Sequence, residues 1–154
     1  MKNKLEVLTP DCTYHIYNRA NGNKQMFLSN ENYRYFLQQY MSYIQPIADT
    51  FCYCLMPNHF HFLVRIKSEK EIENYFRLTF PKFKTLENKN LSGIDYHQNL
   101  EKLISQQFSN LLNSYAKAFN KQYNRKGSLF MRPFKRIKVT ERTLSPKISS
   151  LHSL

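Results

Sequence analysis

The chain has 154 residues, 42% of them hydrophobic, and its 12 Phe and 11 Tyr supply enough apolar surface for the core of one domain. The 23 Lys and Arg outnumber the 11 Asp and Glu, and the resulting net charge of +12 favours a polyanionic partner, nucleic acid ahead of an anionic membrane. There is no run of about 18 apolar residues, no apolar leader and no disulfide framework among the three cysteines, so we expect a cytoplasmic protein without a membrane span.

The first predicted elements are a strand and a helix. Thr13–Arg19 alternates β-branched and aromatic side chains and is predicted as a strand, which the turn-forming residues Asn21–Asn23 end. Ser29 is a typical N-cap residue for the helix that we predict over Asn32–Ile44, where apolar side chains share one stripe. Pro46 ends that helix.

A hairpin with alternating side chains follows. Phe51–Leu55 is predicted as its first strand, Met56–Asn58 as its turn, and the second strand begins at His59. Because successive side chains on a strand point to opposite faces, His59 and His61 share one face with two further residues, and the other face is apolar. The two faces read His59, His61, Leu63, Arg65 and Phe60, Phe62, Val64, Ile66. The apolar face predicts core contact, and the two imidazoles are placed to hold one metal ion.

Other interpretations of this hairpin stay open. Two histidines on a half-buried strand are often only hydrogen-bonded and partly exposed, and two ligands do not complete a metal site. Cys52 and Cys54 could add thiolates and form a zinc site, although their spacing does not match the usual zinc motifs. We therefore expect both cysteines to be small buried hydrophobic residues.

The second half of the chain is predicted to contain two helices and a strand. Glu69–Leu78 has a helical pattern, and residues 80–99 are polar and irregular, as in a loop or an insertion. Glu101–Tyr123 carries the clearest helical periodicity, with Gly127 predicted to cap its exit. Phe130–Val139 has basic residues interleaved with apolar ones and is predicted as the last strand.

This order of elements predicts an α+β domain over residues 1–139, in which helices pack mainly on one face of an antiparallel sheet. Residues 140–154 have no convincing amphipathic pattern and are predicted to form a tail.

Positive charge is concentrated in the second half of the chain. No Asp or Glu occurs from Lys102 to Thr140. A basic run is often only a solvated face, but the complete loss of acidic residues over this length favours a surface that follows phosphates. The candidate DNA-binding residues are Arg19, Lys117, Lys121, Arg125, Lys126, Arg132, Lys135 and Arg136.

Three segments together resemble a known family. They are YHIYNRAN from Tyr14, CLMPNHFHFLV from Cys54, and YAKAFN from Tyr115 followed by GSLFMRPFK from Gly127. They are similar to the single-tyrosine transposases with a His-hydrophobe-His (HUH) motif, and most similar to the REP-associated tyrosine transposases. The resemblance covers Thr13 to Val139, and its central motif is the most specific part.

The resemblance implies a ferredoxin-like fold and metal-dependent cleavage and joining of single-stranded DNA. In the family a divalent ion, Mg²⁺ or Mn²⁺, is held by the histidine pair and one further polar side chain, and a tyrosine attacks the phosphorus atom. His59 and His61 match the metal-binding pair by position. Single-stranded or hairpin DNA is the implied partner, and the protein is expected as a monomer or a homodimer.

The chain departs from the family at its end. Where the family has its nucleophilic tyrosine and its third ligand, this sequence has Ser150 and Leu154, and Pro146 disturbs the helix that would carry them. We therefore expect a truncated or decayed member of the family. Tyr123 is a weak candidate for a substitute nucleophile, whereas Tyr115 lies on the apolar stripe and is expected in the core.

Two functions follow from these observations. The first is an enzyme that cleaves and transfers DNA strands. The second is a DNA-binding module without catalysis, in which basic residues follow the backbone and tyrosines such as Tyr17 or Tyr96 stack on bases. RNA binding also stays open. A phosphoesterase with two His-x-Thr or His-x-Ser motifs is excluded, because only one His-x-His occurs and His152 has no partner motif.

Overall fold

The computed structural model describes residues 5–79 and 93–140, the side chains of 93–97 excepted. These residues form a four-stranded sheet and three helices, an α+β architecture consistent with the predicted ferredoxin-like fold. Neighbouring strands are antiparallel, and the strand order across the sheet is β2-β3-β1-β4. The elements are β1 (Thr13–Arg19), α1 (Asn30–Tyr43), β2 (Ala48–Met56), β3 (His59–Ile66), α2 (Glu69–Thr79), α3 (Gly93–Gln122) and β4 (Lys135–Lys138).

Helix α1 begins where the sequence places its cap. Ser29 is the N-cap residue, and its side chain accepts a hydrogen bond from the backbone N–H of Asn32, whose own side chain accepts from the Ser29 N–H. This reciprocal pair is a capping box, which satisfies two otherwise unpaired backbone donors. The helix buries Phe36 and Tyr40 against the sheet.

The apolar face of β3 forms the centre of the core, as predicted. The side chains of Phe60 and Phe62 are 2% exposed, and both contact Phe36 of α1. Phe36 in turn packs edge-on against Tyr115 of α3, so α1 and α3 cover the same face of the sheet. Burying each aromatic or aliphatic side chain of this kind contributes about 1.5–3 kcal/mol to folding.

Tyr115 is confirmed as a core residue. It is 1% exposed, and its hydroxyl donates to the backbone carbonyl of Met26. Burial raises the pKa of this phenol, so the hydroxyl stays protonated.

Helix α3 differs from its prediction at both ends. It begins at Gly93, so the predicted loop is wrong for residues 93–99, while residues 80–92 lie outside the described part of the chain. It ends at Gln122, and Asn124 rather than Gly127 takes the left-handed conformation that closes the helix. The N–H of Arg125 donates to the carbonyl of Asn120, the backbone hydrogen bond of a Schellman motif.

Strand β4 is shorter than predicted, because the residues before it are paired in another way. The side chain of Asn21 donates to the carbonyls of Ser128 and Phe130, and that of Asn18 donates to the carbonyl of Met131. These contacts, with an isolated bridge between Ala20 and Phe130, hold the segment to the end of β1 without a regular ladder.

The prediction for the cysteines is wrong. Cys52 and Cys54 are exposed, because β2 is an edge strand of the sheet and has a register shift between Thr50 and Cys52. In the described part of the chain, no helix is both long and apolar enough to cross a membrane.

Candidate metal and nucleic-acid site

The two candidate metal ligands lie on the sheet face opposite the core. In the antiparallel register, His61 is opposite Tyr17 and His59 is opposite Arg19. Directly opposed residues point to the same face of a sheet, and His15 lies on that face two residues before Tyr17. We call the surface formed by His15, Tyr17, His59 and His61 the imidazole face.

The turn before His59 is fixed by backbone hydrogen bonds. The N–H of Ala20 donates to the carbonyl of Asn58 at 3.0 Å, and the N–H of Met26 donates to the carbonyl of Pro57 at 2.7 Å. Because β1 and the following segment hold both turn carbonyls, the position of His59 relative to β1 is set by the fold and not by the turn alone.

The rings of the imidazole face are in contact with one another. Ring centroids lie 5.1 Å apart for His15 and His61, 4.6 Å for His15 and Tyr17, and 5.8 Å for Tyr17 and His61, all nearly parallel. His59 stands at 85° to His61 with its centroid 5.2 Å away. All four side chains are half-buried, so the face is ordered by contact but open to a ligand.

Hydrogen bonds at the Nδ1 atoms favour metal binding through the other ring nitrogens. His59 Nδ1 lies 2.7 Å from the Oδ1 atom of Asn58, and an N–H donated there leaves a lone pair on His59 Nε2. His61 Nδ1 lies 2.9 Å from His15 Nε2. With His15 as the acceptor, His61 also presents a free Nε2 lone pair, the arrangement in which an outer residue fixes the tautomer of a metal ligand.

The electrostatic surroundings of His61 keep its ring neutral. Burial lowers the pKa of His61, and the neighbouring charge of His59 lowers it further. Neutral imidazole is the form that binds metal ions, so this shift favours a ligand role at physiological pH.

Positive charge borders one end of the imidazole face. Arg19 is exposed opposite His59, and Lys135 is exposed opposite Tyr17 on β4. At the other end, Arg65 forms ion pairs with Asp11 at 3.2 Å and Asp49 at 3.3 Å, which neutralise its charge. An anion is therefore attracted to the His59 end.

The other predicted DNA-binding residues lie outside the sheet or on its core side. Lys117 and Lys121 are exposed on α3, which packs on the core side of the sheet. Arg125 donates to the side chain of Asn120 at 2.7 Å. Among the rest, Lys126 and Arg132 are exposed in the connection to β4, and Arg136 is buried.

The structure does not bring Tyr123 to the histidine pair. Its ring packs on Phe119 of α3, and its hydroxyl donates to the Oδ1 atom of Asn32, which is buried at the start of α1. Tyr123 therefore lies in the helical layer on the core side. Ser150 and Leu154 lie outside the described residues.

Cys54 is opposite His61 on β2 and thus shares the imidazole face. Even so, among the side chains that the structure describes, no group of three or more His, Cys, Asp or Glu residues is arranged to hold a metal ion. The described residues therefore provide the two imidazoles and not a closed zinc site of four protein ligands.

Sequence reasoning missed His15. The alternation of Thr13–Arg19 places His15 and Tyr17 on one face, but only the pairing of β1 with β3 shows that this face is also that of His59 and His61. The available signal was therefore the periodicity, and the missing information was the strand order.

Comparison with known proteins identifies a shared fold and no relative by sequence. No family model matches the chain, and no curated protein matches it. A solved structure described as a REP-associated tyrosine transposase bound to a REP hairpin aligns with 99% of this chain and 68% of its own, at 10% sequence identity and a TM-score of 0.50. The two share a fold. At this identity the likeness does not show membership of the family.

Proposed function

We propose that this protein binds single-stranded or hairpin DNA across the imidazole face and holds a divalent ion, Mg²⁺ or Mn²⁺, with His59 and His61. The observation that carries the proposal is the pair of adjacent imidazoles on one rigid strand, each with its Nδ1 atom within hydrogen-bonding distance of an outer partner. The fold shared with a transposase that is bound to a DNA hairpin supports the same choice of partner.

The two imidazoles suit a metal ion whose remaining coordination positions are filled by the substrate and water. Two imidazole nitrogens fill part of a coordination sphere, and phosphate oxygens and water suit the remaining positions of a hard divalent ion. Nitrogen ligands favour Mn²⁺ over Mg²⁺. When bound, such an ion supplies Lewis-acid polarisation of a phosphate.

The neighbouring side chains have separate roles in DNA binding. Arg19 and Lys135 contact backbone phosphates at the His59 end of the imidazole face, because both are exposed along its border. Tyr17 offers a ring face on which a base can stack, a contact that tolerates any base sequence.

The proposal is tested by binding of a fluorescent hairpin DNA with a single-stranded extension, with and without Mn²⁺. We expect Mn²⁺ to tighten binding by the wild type and to have no such effect on the His59→Ala/His61→Ala variant. If the protein makes six to ten phosphate contacts, affinity falls by about 10³–10⁵ between 50 and 200 mM salt. A flat salt response would reject DNA binding, and an equal response of both proteins to Mn²⁺ would reject the metal site.

A catalytic function and a purely binding function differ in the nucleophile. The histidine pair supports strand cleavage and transfer, whereas the hydrogen bond from Tyr123 to Asn32 supports a binding module without catalysis. Incubating end-labelled hairpin DNA with Mn²⁺ and separating the products under denaturing conditions decides between them. A covalent protein–DNA adduct that the histidine double variant does not form establishes the enzyme, and its absence under conditions where the DNA is bound establishes the binding module.

A further inference from the structure

A second site lies on the other side of the sheet. A cleft of about 860 Å³ opens between α3 and the segment from Gly127 to Arg136. Arg136 is opposite Ile16 in the β1–β4 register, and Ile16 is a core residue, so the Arg136 side chain enters this cleft from the core side of β4. We call it the Arg136 cleft; its lining includes Ser105, Ser109, Asn120, Arg132, Phe134 and Arg136.

Arg136 is a buried cation that lacks a carboxylate partner among the residues lining the cleft. It is 9% exposed, and its guanidinium lies 3.8 Å from the ring centroid of Phe134. Its Nη1 atom donates to the hydroxyl of Ser105 at 3.0 Å, but its buried Nε atom has no hydrogen-bond partner within the described structure. Burial lowers the pKa of Arg136 to about 10, so the side chain stays charged at neutral pH.

A buried charge without a partner is costly, since desolvation is compensated only by an opposite charge or by further hydrogen bonds. A guanidinium presents several N–H donors in one plane, and these match the oxygens of a phosphate group. The ring of Phe134 and the hydroxyl of Ser105 hold the plane of Arg136 in one orientation. These features suit Arg136 to bind an anion.

The opposite wall of the cleft is one side of α3. It is lined by Leu112, by the amides Asn113 and Asn120, and by the small side chains of Ser105, Ser109 and Ala116. Because these side chains are short, they leave room that a larger residue would fill, and the volume lies within the range of small-molecule sites. The hydroxyl of Ser109 can also form hydrogen bonds with a base or a sugar.

We propose that the Arg136 cleft binds one nucleotide unit of a single DNA strand, with its phosphate on Arg136. The inference rests on the proposed DNA binding and adds a second contact region to it. β4 is an edge strand, with Lys135 exposed on the imidazole face and Arg136 on the other side. A DNA strand that crosses this edge passes from Lys135 to Arg136. Arg132, which is exposed and lines the cleft, adds a third cation.

The first test compares three variants of the full chain in binding to a short oligothymidylate. We expect Arg136→Gln to weaken binding about tenfold and to lower the slope of log affinity against log salt by about 0.7, the value for one single-strand phosphate contact. Ser109→Phe fills the cleft without changing the net charge, and we expect it to weaken binding similarly. Arg34→Gln removes an exposed charge on α1 outside the cleft and is the control, with little expected effect.

The outcomes separate this inference from the proposed function. If the wild type binds the oligonucleotide but Arg136→Gln and Ser109→Phe behave like Arg34→Gln, the cleft is not a nucleotide site and DNA binding still stands. If the wild type binds no DNA, or binds it with an affinity that does not change with salt, the proposed function fails, and the cleft assignment fails with it.

A second measurement does not depend on any variant folding. Amide resonances of the wild type are followed by NMR while a thymidine dinucleotide is added, and inorganic phosphate is added to a parallel sample. We expect the dinucleotide to shift resonances of Ser105, Ser128 and Arg136 at lower concentration than phosphate does. Equal responses to both would assign the cleft to free phosphate, and shifts confined to the imidazole face would overturn the inference.

Discussion

At the scale of single residues, the hydrogen bond between His15 and His61 decides which nitrogen of His61 is available to a metal ion. His15→Phe keeps a ring of similar size beside Tyr17 and His61 but removes the hydrogen-bond partner whose Nε2 atom lies 2.9 Å from His61 Nδ1. Loss of an outer hydrogen-bond partner typically lowers metal affinity about 10–100-fold. We expect a loss of this size for Mn²⁺, measured by titration with electron paramagnetic resonance.

Cys54→Ala is the matched control for this measurement. Cys54 lies opposite His61 on β2, as Tyr17 does on β1, so the substitution changes the same surroundings without touching the hydrogen bond. Unchanged Mn²⁺ affinity is expected. A loss in Cys54→Ala with none in His15→Phe would contradict the tautomer argument and identify the thiolate as a ligand.

The contacts of Tyr123 give its hydroxyl a stabilising role in the fold that does not require catalysis. Its hydroxyl donates to Asn32 Oδ1 at 3.0 Å, and that oxygen also accepts from the N–H groups of Leu28 and Ser29. In Tyr123→Phe the Oδ1 atom of Asn32 still accepts hydrogen bonds from these two N–H groups. We therefore expect the free energy of unfolding to fall by only about 0.5–1.5 kcal/mol. Denaturant unfolding measures this, and a covalent DNA adduct formed by the wild type and lost in Tyr123→Phe would contradict the structural role.

At the scale of elements, β3 separates the core face of the sheet from the imidazole face. Phe62 is 2% exposed against α1, while Leu63 is half-buried on the side of the imidazole face. We expect Phe62→Ala to lower the free energy of unfolding by about 3–5 kcal/mol, since it leaves a cavity in the core. Leu63→Ala, one residue along the same strand, should cost clearly less. Equal losses in thermal or denaturant unfolding would show that both faces of β3 are buried against protein.

Hydrophobic periodicity was sufficient for the elements that have one buried face. Strand β1 has its predicted bounds, and β3 buries its predicted face because alternation specifies register wherever a core is present. The N-cap at Ser29 was predictable because its bonds are local.

The same reasoning fails where tertiary contacts decide. Arg136 was grouped with the surface cations because basic and apolar residues are interleaved in the predicted strand Phe130–Val139 without strict alternation, so the sequence does not specify which face is buried. Cys52 and Cys54 were assigned to the interior, since nothing local shows that β2 is at the edge of the sheet. The length of β4 depends on hydrogen bonds from Asn18 and Asn21, more than 100 positions earlier in the chain.

At the scale of the whole molecule, the sequence has a net charge of +12, and the cations of the described residues lie on both sides of the sheet. Arg19 and Lys135 border the imidazole face. Lys117 and Lys121 of α3 lie on the core side of the sheet, and Arg132 in the connection to β4 lines the cleft on that side. The sequence predicts the total charge and therefore a polyanionic partner. The distribution over the two sides follows from strand order, which places β1 between β3 and β4.

The contribution of the imidazole face to DNA binding can be measured by comparing two variants. Arg19→Gln/Lys135→Gln removes two positive charges beside the histidine pair, and Arg34→Gln/Lys70→Gln removes two exposed charges from α1 and α2. Both variants have the same net charge, so a long-range attraction for DNA is weakened equally in both.

Only the first pair is expected to lose direct phosphate contacts, and each contact with a single strand contributes about 0.7 to the slope of log affinity against log salt. We therefore expect the slope for an oligothymidylate to fall by about 1.4 in the first variant and to stay near the wild-type value in the second. Equal slopes would mean that DNA responds to the total charge of the molecule and does not lie across the imidazole face.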